Sequence, residues 1–452
     1  MGSQPLGNPG GPIHPLTYVR QERGWTHQDL VDVIARRVGN SAARREKAWR
    51  WEHWGVTPDV ESQLALAAEL DVPAELVDKL GWPYWLPVGA RIDLDLPWTS
   101  DGSLRALDAT AGSAVLDRRS FLLLGPGLAR VVADQWLTAE QTRLANVMRG
   151  GRLDTGLVAS FEGRLLPLRQ LDAALGGKNV RVLVDSELRL ITDLLTRGSY
   201  SEAIGQRMFA IAAELGRIAG WTSFDAGCHA AAERYWVAAL RAAHTAGDRE
   251  IGANILKCMS LQRIDTDRTD EAVAIAGAGR RATVHGPARV AAMLTVREAR
   301  AHAERGDAGD CQRLLGEAER LMDRADDEYA PPWAAYFDQA EYSAQVARCH
   351  LSLGRHRDTD RWLDRSLSLQ PDERSRDRAT YQIWRADTVL RMGSVEHACA
   401  LVSQALPHIA TAHSVRNQRR LVGIHGRLKQ HGNIEAVTAL DEQVRSLVAL
   451  VE

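Results

Sequence analysis

The sequence predicts an all-α protein, with five short helices near the N-terminus and then an array of helix pairs filling more than half of the chain. Three observations carry this reading. Period-two strand signals are almost absent, whereas apolar residues recur at helical spacing. From about residue 187 onward, nearly everything is Ala- and Leu-rich helix with Gly, Asp or Pro at the joints. Turns at 267–270, Gly306-Asp307, Gly354-Arg355 and Gly393-Ser394 recur at intervals of 39, 48 and 39 residues, which marks helix pairs stacked as an α-solenoid.

At 452 residues the chain exceeds what one hydrophobic core usually organises. It is expected to divide into a Gly- and Pro-rich tail (1–14), an N-terminal helical domain (15–80), a Pro/Trp-rich linker (81–118), a helical connector (119–186) and the repeat domain (187–452). The composition is 45% hydrophobic and 25% charged with a net charge of -2, which fits a soluble globular protein and excludes a disordered one. A near-neutral total says nothing about nucleic acid, because a small basic patch can be masked by a larger acidic remainder. The five cysteines lie far apart without a C-x-x-C pair, which suits a reducing cytoplasm. The first fifteen residues carry no apolar core and do not read as a signal peptide. No apolar run approaches the roughly 20 residues of a spanning helix. Arg118-Arg119-Ser120-Phe121 imitates a twin-arginine signal, but it lies far from the N-terminus and its apolar run breaks at Gly125-Pro126-Gly127, so it reads as a buried helix start.

The five N-terminal helices are expected over 16–23, 26–38, 42–54, 61–70 and 74–80, separated by turn signals such as Gly24 and Gly39-Asn40. Leu30, Ile34 and Val38 form one buried stripe of the second helix. Thr26 offers an acceptor hydroxyl in front of it, with Asp29 three residues on, as an N-terminal cap requires. Pro73 starts the fifth helix at no hydrogen-bonding cost. Prolines forbid a regular helix from Gly81 to Ser103, and the tryptophans there argue for docking on a surface rather than free flexibility. In the repeats, small residues fall where helices cross and large ones between them, as in Ala219-Gly220-Trp221 followed by Tyr235-Trp236.

Chemistry concentrates at Arg36, Arg37, Arg44, Arg45, Lys47 and Arg50, set against the single acid Glu46. On a helix, Arg44, Lys47 and Trp51 share a face with Arg45 beside them, which suits either a major groove or a solvated basic surface. Enzyme motifs fail. Gly176-Gly177-Lys178-Asn179 lacks the first glycine and the Ser or Thr of a phosphate loop, and Gly277-Ala278-Gly279 has no preceding strand. The fourteen histidines form no ligand cluster by spacing, and His408, His413, His425 and His431 read as exposed or capping. No catalytic residue, metal or cofactor is expected. Trp221, Trp236, Trp333, Trp362 and Trp384 suit repeat packing or a groove. Asn254 and Gln339 are amides able to grip a peptide backbone.

The segment Arg23-Gly24-Trp25-Thr26-His27-Gln28-Asp29-Leu30, with Arg50-Trp51-Glu52, Gly55, Pro58 and Leu64 to Val72, resembles the xenobiotic-response-element-type helix-turn-helix family over about 65 residues. The resemblance implies a recognition helix in the major groove, with Thr26, His27, Gln28, Arg44, Arg45, Lys47, Trp49 and Arg50 at the DNA, Trp51 in the core and Glu52 a structural hydrogen-bond partner. Two departures stand out: the turn from Gly39 to Lys47 is about three residues longer than the usual pattern, and His27 replaces a common glutamine.

Gly81-Trp82-Pro83-Tyr84-Trp85-Leu86-Pro87, Asp117-Arg118-Arg119-Ser120-Phe121-Leu122, residues 215–235 and Pro331-Pro332-Trp333 with Tyr336-Phe337-Asp338 resemble actinobacterial regulators in which this domain precedes tetratricopeptide-like repeats. That resemblance implies a cytoplasmic, nucleoid-associated homodimer on double-stranded DNA, away from membranes. It also implies an inner groove for a peptide or protein signal, with Trp221, Asn254, Gln339, Trp333 and Tyr336 as candidate lining. The rival expectation is a helical-repeat scaffold that does not bind DNA.

Overall fold

A computed structural model describes residues 15–39, 45–53, 56–70, 72, 74, 77–78, 82–83, 85–86, 92–111, 128–141, 151–175, 177–325, 328–412 and 414–451. The protein is all-α: among these residues no strand occurs, only an isolated bridge between Arg152 and Ser199. No helix among them is long and apolar enough to cross a membrane. They fall into two compact units, the first drawn chiefly from residues 1–92 and the second from 93–111, 126–227 and 232–452.

The first unit contains α1 (Pro15–Glu22), α2 (His27–Val38), α3 (Arg45–His53) and α4 (Val60–Glu69). Thr26 closes the start of α2 with a reciprocal cap: its hydroxyl accepts from the Asp29 N–H, while the Asp29 carboxylate accepts from the Thr26 N–H at 2.8 Å. Gly39 ends the helix in left-handed backbone at φ 71°. Asp59 caps α4 by accepting from the Ser62 N–H at 2.8 Å. Leu30 and Ile34 are buried with Leu16, Val19, Ala48, Trp51, Leu66 and Leu70, and Val38 packs at the margin. The expected fifth helix lies mostly outside the described residues.

The stretch expected as a linker divides between the units. Trp85 and Leu86 are buried in the core of the first, and Trp85 donates its indole N–H to Gln63 Oε1 at 2.9 Å. The first unit therefore continues past residue 80, because an apolar indole with a satisfied N–H is more stable inside a core than on a tether. Residues 93–111 belong instead to the second unit and include the helix α5 (Ser100–Ala111). Ser103 donates to the Arg241 carbonyl at 3.0 Å, and the Arg241 guanidinium donates to the carbonyls of Leu96 at 2.6 Å and Leu94 at 3.2 Å. Arg118 to Phe121 lie outside the described residues.

The second unit continues with α6 (Leu128–Thr138), α7 (Thr155–Leu175), α8 (Gly177–Arg197), α9 (Glu202–Asp225), α10 (His229–Ala246), α11 (Arg249–Asp265), α12 (Thr269–Ala282), α13 (Ala288–Arg305) and α14 (Ala308–Met322). After a 3-10 turn at Pro332–Ala334 come α15 (Gln339–Ser352), α16 (His356–Leu369), α17 (Ser375–Arg391), α18 (Val395–Ala412), α19 (Val415–Leu428) and α20 (Glu435–Val451).

Short joints fold consecutive helices back on each other, so α11 packs on α12, α13 on α14, α15 on α16 and α17 on α18. The four expected turns pass through left-handed backbone at Asp267 (φ 56°), Gly306 (φ 89°), Gly354 (φ 70°) and Gly393 (φ 88°). Successive pairs then stack through alternate helices, α9 on α11, α11 on α13, α13 on α15, α15 on α17 and α17 on α19, which makes one continuous row. Small residues permit the close crossings. A Cβ at Gly216 would stand 2.9 Å from that of Ala239, and one at Gly220 would fall inside the Trp236 indole.

Candidate functional site

In the first unit the functional question turns on how α3 is held. Glu52 is buried and carries three neighbours: Arg20 donates through Nε to Oε1 at 2.7 Å and through Nη2 to Oε2 at 3.2 Å, Thr17 donates its hydroxyl at 2.7 Å, and His27 Nε2 lies 3.2 Å from Oε2. Burial alone would raise the Glu52 pKa. The hydrogen bonds from Arg20 and Thr17, with the charges of Arg20 and His27, outweigh burial and hold it below the usual carboxylate range. Together with buried Ala48 and Trp51, this fixes which side of α3 faces inward.

Arg45, Glu46, Lys47, Trp49, Arg50 and His53 are exposed. Lys47 and Trp51, expected on one face, part company, since Lys47 faces solvent and Trp51 is core. The outward stripe is Arg45, Trp49 and His53 at four-residue spacing, flanked by Arg50. Trp49 stacks on His53 with ring centroids 4.6 Å apart, and the His53 Nδ1 lies 3.0 Å from the Trp49 carbonyl. The start of α2 stands beside this end of α3, the His27 and His53 rings being 6.2 Å apart. Thr26 there is occupied as a cap, and Gln28 is exposed with its amide donating to Asp32 at 2.8 Å. Arg44 lies outside the described residues.

The fold thus assembles a group that residue spacing hid: His27, Glu52 and His53 bring ligand-type atoms within 4.8 Å of one another. A second such group is His302, Asp307 and Asp310. In both, the central carboxylate is already paired, Glu52 with Arg20 and Asp307 with Arg305 and His302, which competes with any cation.

In the second unit, the row α9, α11, α13, α15, α17 and α19 lines a cavity of about 550 Å³, with α7 and the turn at Pro332–Ala334 completing the wall. That volume is in the range of sites for small ligands. Trp221, Asn254, Trp333 and Tyr336 stand in this wall, but Gln339 does not. Gln339 opens α15 beside the cap Asp338, and the lining positions of that helix are Glu341 and Gln345, two and six residues further on, so Gln339 points to another side of the helix.

Spacing had not pointed to the charge of the wall: nine Arg or Lys side chains face four carboxylates. Part of it is paired. Glu214 accepts from both arms of Arg217, at 2.7 and 2.8 Å, and from Arg169 at 2.8 Å, while Arg376 is held on Asp172 at 3.1 Å. Another part is short of partners. Among the described residues Arg297 is 8% exposed, and its Nε and Nη1 have no hydrogen-bond acceptor. Its neighbour one turn on, Arg300, donates to Gln345 Oε1 at 3.3 Å, while its Nε makes no hydrogen bond and lies 3.9 Å from the Glu304 carboxylate.

Lys257 donates to the Tyr336 hydroxyl and lies 3.6 Å from the Met293 sulfur. Arg420 donates to neutral oxygens of Asn417 at 3.0 Å and Thr380 at 3.3 Å. Burial, then repulsion by Arg297 and Arg348, lowers the Arg300 pKa to about 9, while burial with the charges of Arg297 and Arg217 lowers that of Lys257 to about 8. Trp384 carries the guanidinium carbons of Arg300, Arg348 and Arg420 at 5.5–5.6 Å from its ring centre. The signal for this wall was in the sequence, as single cations inside Ala-rich helical runs, Lys257 in Asn254-Ile255-Leu256-Lys257-Cys258-Met259 and Arg297 in Leu294-Thr295-Val296-Arg297. Neither known protein-family models nor curated proteins match the chain.

Proposed function

We infer that the protein is a sequence-specific DNA-binding transcriptional regulator, in which the first unit is a helix-turn-helix domain of the xenobiotic-response-element type and the second is a tetratricopeptide-like sensor. The observation that carries this reading is the posture of α3. Its inner face is locked by Trp51 and Glu52, and its outer face presents Arg45, Trp49 and Arg50 beside the exposed start of α2. Long cations on a rigid helix beside a second helix N-terminus suit a duplex, where cations and backbone N–H groups meet phosphate and guanidinium meets base edges.

In this reading Arg45, Arg50, Lys47 and Arg44 contact DNA, with Trp49 against a sugar or base edge and Thr26, His27 and Gln28 at the phosphates. The repeat unit provides dimerisation, so that two first units read half-sites about one helical turn apart. A signal in the cavity shifts the equilibrium between DNA-competent and DNA-incompetent dimers in proportion to its preference for one of them. Gel-shift titration of genomic fragments tests the reading. The wild type is expected to select particular fragments over random duplex, and Arg45→Ala with Arg50→Ala to lose that selection. Equal affinity for all duplexes would favour a scaffold acting through protein contacts.

A further inference from the structure

We propose that the cavity of the second unit binds a small phosphoryl-bearing molecule, seated with its phosphoryl oxygens on Arg297, Arg300 and Lys257. The inference names the ligand class of the sensor cavity and stands on that cavity alone, whatever the first unit binds.

A protein rarely buries an arginine without an acceptor, because the desolvated guanidinium then lacks both water and a counter-ion. Arg297 is such a residue, and it lines the cavity with Arg300 one turn away on the same helix and Lys257 on the neighbouring one. These cations repel each other within the wall, so an anion placed among them relieves desolvation and repulsion together. Of the wall carboxylates, Glu341 is engaged by the Gln345 amide at 2.8 Å and by the Tyr381 hydroxyl.

The class follows from charge density. A phosphoryl group carries close to two charges and three acceptor oxygens on one tetrahedral centre, so several cations can share it. A carboxylate presents one charge in one plane and would match one guanidinium. Arg169, Arg217, Arg374, Arg376 and Arg416 are paired with Glu214, Asp338, Asp172 and Asp265. Among the described residues, by contrast, Arg297 and Lys257 have no carboxylate partner and Arg300 stands 3.9 Å from Glu304, so the under-neutralised cations that meet in about 550 Å³ call for the denser anion. The unmatched Asn254 Oδ1, also in the wall, asks for a donor on the rest of the molecule, which points to an organic phosphate carrying hydroxyl or amino groups.

The test is calorimetric titration of the full chain with ADP and with pyrophosphate, with citrate and a tetra-aspartate peptide as carboxylate arms, at about 150 mM salt. The expected result is saturable one-to-one binding of ADP or pyrophosphate at about 1 mM or below, with each carboxylate probe at least about tenfold weaker. Arg297→Met removes an uncompensated buried charge and so should fold at least as stably as the wild type, yet weaken the phosphate probe by about tenfold or more. Arg313→Gln, at an exposed residue outside the cavity, should leave the affinity unchanged. The proposal is overturned if no phosphate probe binds in that range, if citrate or the acidic peptide binds as tightly, or if Arg297→Met leaves the affinity intact. Gel shifts without added anion report separately on the DNA-binding reading.

Discussion

Arg20 on α1 grips Glu52 on α3 with two arms, Nε to Oε1 at 2.7 Å and Nη2 to Oε2 at 3.2 Å, across 32 residues of sequence. Removing the carboxylate leaves a largely buried guanidinium without its counter-ion. Glu52→Ala is therefore expected to cost the first unit about 3–5 kcal/mol, visible as faster amide exchange through α1–α4. Because the folded carboxyl is held below its ordinary range, its contribution is present at neutral pH and lost as pH falls through the folded value. The wild type and Glu52→Gln should therefore converge in stability in acid. A gap independent of pH would contradict the pair's role.

Trp85 anchors the end of the first unit, with its indole N–H on Gln63 and Gln63 in turn donating to the Pro58 carbonyl at 2.8 Å. Trp85→Ala should destabilise the first unit by about 3–5 kcal/mol. Local exchange rates in α4 check this, and unchanged protection there would mean that Trp85 is not part of the core.

Both contacts show what residue spacing reveals and what it hides. The capped start of α2, the Leu30 and Ile34 stripe and the four repeat turns are local patterns, and each was legible because cap, period and glycine signal within a few residues. The fate of Trp85 was not, since a tryptophan between prolines looks the same on a linker as in a core until the distant Gln63 is placed. The cavity shows the same limit. Trp221, Asn254, Trp333 and Tyr336 could be nominated by type, but the charge of the wall arises only when alternate helices align Lys257, Arg297 and Arg420, which are far apart in sequence. Gln339 was misplaced by a fraction of a helical turn.

Gly220 lets α9 and α10 approach so closely that a Cβ would enter the Trp236 indole. Gly220→Ala should therefore lower the stability of the second unit by about 1–3 kcal/mol despite the better helix propensity of alanine. Thermal unfolding measures it, and a neutral or stabilising result would contradict the close crossing.

Lys257 supplies a pH signature. Burial, with the charges of Arg297 and Arg217, lowers its folded pKa to about 8 against an ordinary 10.5, so the unfolded chain holds its proton more tightly. Its penalty is fully present below pH 8 and fades as pH rises towards 10.5. Lys257→Met should accordingly be more stable than the wild type at pH 7 by about 1–3 kcal/mol, the difference shrinking between pH 8 and 10. Denaturant titrations at both ends of that range decide it, and a constant difference would count against a buried charge.

In the function proposed above, the first unit reads DNA by sequence through α3. The most direct test is the affinity of the full chain for the DNA it occupies in its own cells, compared with random duplex of equal length at about 150 mM salt. A preference of about a thousandfold or more is expected, collapsing towards random affinity when Arg45 and Arg50 are both replaced by alanine. Equal affinity for occupied and random DNA, or a preference untouched by the double substitution, would contradict that function.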